Sequence, residues 1–192
     1  MTMDRIIGVF TFRKDVYAEV ERDTTFTTTA WILVAVISFL NQIGSRVSDN
    51  LIHWAIGAII GTILTILGFA VAIYIISWVG RTVFNADVTF DELVRTLGLA
   101  YVWNIVGVLG ALVAFSKLLS CLTAPALVIA AILGLVAWFL AAKEALDLDW
   151  AQTIVTVFIG WAVMMAITLF TGVVLTILGL GTAAAVRGIF GP

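Results

Sequence analysis

Five stretches of this chain run without a single Asp, Glu, Lys or Arg for long enough to cross a bilayer: residues 24–45, 52–80, 96–116, 118–142 and 150–179. A helix needs about 20 residues to cross roughly 30 Å of hydrocarbon. Each stretch reaches that length, and nearly all the charge lies in the links between them or at the amino terminus. Only 11% of the residues are charged and 62% are hydrophobic, where a soluble domain carries about 25% charged residues. Most residues of a domain this small touch its surface, so lipid must be the solvent over much of it. The fold class is all-α, a polytopic membrane bundle of five transmembrane helices.

Residues 1–23 hold nine charges of both signs. A signal peptide has a basic start and then an apolar run, so the first apolar stretch reads as an uncleaved span. Ile6, Ile7, Val9, Phe10, Val16, Tyr17 and Val20 give these residues a partly helical apolar face. The expected element is an amphipathic helix near Arg13–Arg22 lying on the membrane surface. The domain reading is therefore a cytoplasmic amphipathic segment, 1–23, and a five-helix transmembrane domain, 24–192.

Orientation follows from basic residues in short loops, which collect on the cytoplasmic side. One side carries Arg5, Arg13, Lys14, Arg22, Arg81, Arg95 and Lys143; the other carries Arg46, Lys117 and Arg187. The first side is expected to be cytoplasmic, with the C-terminus external. Trp31, Trp54, Trp78, Trp138 and Trp150 stand near span ends, as an interfacial belt requires, while Trp103 and Trp161 lie deeper. The last apolar stretch meets no charge before Arg187. As one helix, residues 150–186 would be about 55 Å long, so it must protrude, tilt or break. A single crossing ending near Gly179 is expected; a hairpin at Thr171-Gly172 or Gly179-Leu180-Gly181 is the alternative.

Two helix starts are written locally. Thr89-Phe90-Asp91-Glu92 has capping-box spacing, and Asp149-Trp150-Ala151-Gln152 repeats it with Asp and Gln. Asp91 and Arg95 are four apart and are expected to pair on the wet face. One continuous helix of about 27 residues should start at Thr89 and enter lipid after Arg95.

No Asp, Glu, Lys, Arg or deep His falls inside any of the five stretches. Proton relays, cation-coupled transporters and voltage sensors place such groups at membrane depth. Intramembrane hydrolysis needs a nucleophile with a base or paired carboxylates. Asp91, Glu92, Glu144, Asp147 and Asp149 read as caps and loop ends. One cysteine, Cys121, and one histidine, His53, offer no disulfide and no His/Cys metal cluster. No cofactor, metal site, catalytic set or nucleic-acid footprint is expected. Three amides do fall within the apolar stretches: Asn41, Gln42 and Asn104. An amide in hydrocarbon needs a partner. Gly57, Gly61 and Gly68, with Gly107 and Ala111, form small-residue faces that let helices approach, within the bundle or between two copies.

Three segments, in order, carry a family resemblance: "RIIGVFTFRKDVYAEVERDTTFTTTAWILVAVISFLNQIGS", "FDELVRTLGLAYVWNIVGVLG" and "VAWFLAAKEALDLDWAQTIVTVFIGW". Together they resemble the Yip family, the Ypt/Rab-interacting membrane proteins, in its short prokaryotic form. The resemblance implies five helices, a cytoplasmic N-terminus and an external C-terminus. It also implies membrane organisation or trafficking, through small GTPases in eukaryotic members. Two departures keep the GTPase partner from carrying over. Only a short segment precedes the first span, where eukaryotic members have a long cytosolic region. Trp103-Asn104 stands near the family's proline.

The leading expectation is a non-enzymatic bundle that organises membrane or scaffolds a membrane-protein partner. Its partner surface would comprise Asp91, Glu92, Arg95, Lys143 and Glu144; a homo-oligomer is a further expectation. The alternative is a small permease or lipid-handling protein for an uncharged or lipidic solute, with Asn41, Gln42 and Asn104 lining its site. One observation separates them. A cavity shared by the amides favours the second; amides paired with neighbouring helices favour the first.

Overall fold

The computed structural model describes residues 2–13, 15–45, 50–114 and 117–178. Two short helices, α1 (Thr2–Phe10) and α2 (Val16–Arg22), precede four longer ones. These are α3 (Phe26–Ser45), α4 (Leu51–Val83), α6 (Lys117–Leu146) and α7 (Trp150–Ile177). Between α4 and α6 the chain forms α5 (Phe90–Ala100), which runs directly into a 3₁₀ segment, Tyr101–Ala114. Five helical stretches are long and apolar enough to cross a membrane, the third being Phe90–Leu112. The end of the bundle that bears α1 and α2 is called the amino end below.

In lipid the usual amphipathic logic changes, because both faces of a helix are apolar and residue size decides which turns inward. In α4 the buried side carries Gly57, Ala58, Gly61, Gly68 and Ala72, filled out by Phe69 and Ile73. The opposite side exposes Ile56, Ile59, Ile63, Leu67, Val71 and Tyr74 at helical spacing. That stripe is the lipid face. By contrast α5 is surrounded: every residue from Leu93 to Ala100 is buried, and α2, α3, α4 and α6 all pack on it.

The helix expected from Thr89 onward starts as read but changes winding. Thr89 Oγ1 accepts the Glu92 N–H at 3.3 Å, and Glu92 Oε2 accepts the Thr89 N–H at 2.7 Å. From Tyr101 the backbone is 3₁₀, with three residues per turn. Tyr101, Asn104 and Gly107 then fall on one line. That line meets α3, which runs parallel to it, at Ser38, Asn41 and Gly44. A Cβ on Gly44 would strike the Gly107 backbone, and one on Gly107 would strike the Asn41 amide. The thinner 3₁₀ winding and the missing side chains allow this approach.

The amino-terminal segment is amphipathic, but in two pieces rather than one. Val9, Val16, Tyr17 and Val20 are buried against the bundle, while Met3, Ile7 and Phe10 form an exposed apolar stripe on α1. Phe12 joins the pieces at a positive φ of 52°, a conformation that bulky residues rarely adopt. It stacks on Trp103 at 5.7 Å, and Phe10 meets the same indole edge-on at 4.8 Å. Helix α7 is unbroken through Thr171-Gly172, where the Thr176 hydroxyl donates to the Gly172 carbonyl. The alternative break at residues 179–181 lies outside the described residues.

Candidate functional site

The three intramembrane amides come together. Asn41, Gln42 and Asn104 line one cavity of about 370 Å³ formed by α3, α4, the 3₁₀ segment, α6 and α7. Its other polar side chains include the hydroxyls of Ser38, Thr65, Tyr101 and Thr168, and Trp103, Trp138, Trp161 and Met164 are among the remaining walls. No Asp, Glu, Lys, Arg or His is among the lining residues.

Each amide is also bonded. Asn41 Nδ2 donates to the Asn104 carbonyl at 2.9 Å, tying α3 to the 3₁₀ segment. Gln42 Nε2 donates to Thr65 Oγ1 at 3.0 Å, tying α3 to α4. Asn104 Nδ2 turns back to the Tyr101 carbonyl at 3.1 Å. The Ser38 hydroxyl donates to Tyr101 Oη at 3.2 Å. Both outcomes of the sequence test therefore occur at once: two amides pair across helices, and all three face one cavity. Trp103 also lines the cavity, but its Nε1 is buried without a hydrogen-bond partner. Tyr17 Oη in α2 is buried and unpartnered too, and burial raises its pKa.

A second constellation sits at the amino end, where the structure corrects one expectation. Arg95 does not pair with Asp91 on the wet face. It is buried, at 5% exposure. Its Nε and Nη2 both donate to the Glu21 carbonyl, at 3.0 and 2.6 Å, and Nη1 donates to Thr27 Oγ1 at 3.2 Å. A guanidinium can hold several acceptors in fixed directions. Here it joins the last turn of α2 to the first turn of α3, and it belongs to no outer surface. Asp91 and Glu144 are exposed; Glu92 and Lys143 are partly so. Glu21 is pushed above the usual carboxylate range, first by partial burial and then by the charges of Glu92 and Glu144. Carboxylates from α2, α5 and α6 therefore gather on one end of the bundle.

Sequence reasoning missed the clamp on α1. Arg5 pairs with Asp23 at 2.7 Å and lies over the Phe26 ring at 5.1 Å. Hydrogen bonds from Thr25 and Arg5 hold Asp23 below its usual pKa. It also missed Asn50, whose side chain caps α4 by accepting from Ile52 and His53; Asn just before an apolar run is a local signal for such a cap. At Asp149 one half of the expected box is present, with Oδ1 accepting the Gln152 N–H at 2.8 Å.

The small residues serve contacts within the chain. A Cβ on Gly61 would lie 2.7 Å from the Gln42 side-chain oxygen, and one on Gly68 would lie 2.8 Å from Ile167. Gly57 is buried in α4, and Ala111 is half-buried on the 3₁₀ segment. Among the described residues no group of three His, Cys, Asp or Glu could hold a metal ion.

Five apolar helices, charges confined to their ends and an uncharged interior define a polytopic helical membrane protein. The chain matches the Yip1 domain over residues 7–171, and it belongs to the Yip1 family. That membership supports a non-enzymatic integral membrane protein of Yip type; the family is not a known enzyme family. No curated protein and no solved structure matches the chain.

Proposed function

We propose that this Yip1-domain protein is a membrane-organising scaffold that engages a membrane-protein partner through the acidic face at its amino end. One observation carries the reading: carboxylates from separate elements, including exposed Asp91 and Glu144 and half-exposed Glu92, gather on one end of a bundle whose flanks are apolar. Such a face complements a basic segment on a neighbouring protein. The amide pairs support the reading, because they hold the helices to one another. The excess of basic residues on that same side of the spans favours a cytoplasmic amino end and an external C-terminus, in a prokaryotic plasma membrane.

Affinity capture from native membranes in mild detergent tests it. The expected result is a membrane-protein partner in fixed ratio, lost when Asp91→Lys and Glu144→Lys are combined and retained in a variant altered only in the cavity. A chain that captures no protein in fixed ratio, or holds its partner despite both changes, would overturn it. The shared cavity favours a second reading, a protein that holds a lipidic or uncharged solute among Asn41, Gln42 and Asn104.

A further inference from the structure

Helices α6 and α7 are neighbours in sequence but not in packing. Helix α6 packs on the 3₁₀ segment and α5, while α7 packs on α4, and the two touch each other little. The cavity reaches the flank of the bundle between them: Ala131 of α6 and Thr168 of α7 both line it and are both exposed. Around that opening stand Val128, Ile132, Met165 and Leu169, all exposed and apolar. On a membrane-spanning flank such side chains face acyl chains, so what enters here comes from the bilayer.

The lining then sets the chemistry. A charged group brought inside would need an opposite charge, and none lines the cavity. Asn41 and Asn104 donate through Nδ2 to backbone carbonyls. Their Oδ1 atoms accept no hydrogen bond among the described residues, and an amide oxygen has two lone pairs to offer. Asn104 is itself exposed within the span. What fits is a group that donates without carrying charge. At about 370 Å³ the space is at the small end of ligand sites. It suits a headgroup whose tails stay in the slot and the bilayer.

We propose that the cavity binds the polar end of an uncharged, hydroxyl-bearing lipid, which enters sideways between α6 and α7 and donates to Asn104 and Asn41. This rests on the second reading above. The test uses the full chain, stripped of lipid in detergent, with native mass spectrometry of added lipids sharing one acyl chain. The probes are dioleoylglycerol, dioleoylphosphatidylglycerol and triolein: a neutral hydroxyl head, an anionic head and a head without a hydroxyl. Dioleoylglycerol is expected to saturate at one per chain, about tenfold tighter than either other lipid. Asn104→Leu should weaken it about tenfold, and Ala131→Trp, at an exposed position that leaves folding intact, should abolish it. No saturable binding of any probe would overturn the cavity reading itself. Equal binding of the three, or indifference to Asn104→Leu, would overturn the headgroup assignment and leave the cavity reading standing.

Discussion

The amino end and the middle of the bundle are held together by different chemistry. At the amino end the bonds are charged and directional: Arg5 to Asp23, Arg13 to Glu19, Arg95 to the Glu21 carbonyl. In the middle they are neutral and short-range, with glycines pressed against amides and hydroxyls bonded to amides. Water explains the difference. Where solvent reaches, as at the Arg5–Asp23 and Arg13–Glu19 pairs, a charge that loses its partner is rehydrated, so such clamps carry little risk. Inside the membrane an unpaired charge has no such refuge, and close packing with neutral hydrogen bonds is what remains. The two regions should therefore fail differently: the middle as a whole, the amino end by letting go of α1 and α2.

The most widespread effect is expected from Gly107→Leu. Its side chain must displace the Asn41 side chain, and overpacking of this kind costs about 1–3 kcal/mol before the Asn41 bond is counted. Denaturant titration in detergent micelles should show the whole bundle destabilised; a change confined to residues 2–22 would break the comparison. Arg95→Met comes next. It removes a buried charged donor with three hydrogen bonds, each of a kind worth about 1.5–3 kcal/mol. Amide exchange over residues 2–22 should rise steeply while α4 and α7 stay protected, and Arg95→Lys should restore only part of the protection. Thr89→Ala removes one cap and should cost about 1 kcal/mol, read as a small fall in Tm with the amino-terminal segment still docked.

The smallest effect is a pH dependence. The folded-state pKa of Glu21 is raised, so the docked segment is penalised above that pKa and tightens as pH falls through it. Asp23 works in the opposite sense. Its folded-state pKa is lowered, so its stabilisation holds above the unfolded value and is lost as pH falls through the folded one. Docking should strengthen on mild acidification and weaken on further acidification. Limited proteolysis of residues 2–22 across that range checks this, and Glu21→Gln should erase the first phase alone.

The spans and the Thr89 cap were legible because their signals are local: a charge-free run, or two residues at a fixed spacing. The destination of Arg95 was not. Its acceptor is a backbone carbonyl 74 positions away, and every backbone carbonyl looks alike in a sequence, whereas Asp91 offered a visible carboxylate one turn away. The amides were legible as groups needing partners, but their meeting in one cavity depends on how α3 and the 3₁₀ segment align. The change of winding at Tyr101 was hidden for the same reason, since a glycine at 107 suits either winding until α3 presses against it.

That winding also sets a length. Fourteen residues at about 2.0 Å each extend roughly 28 Å, and the same residues wound as α-helix would extend about 21 Å. The third crossing is thus about 7 Å longer than the same residues wound as α-helix would make it. Residue for residue, this crossing therefore covers more of the bilayer than its α-helical neighbours.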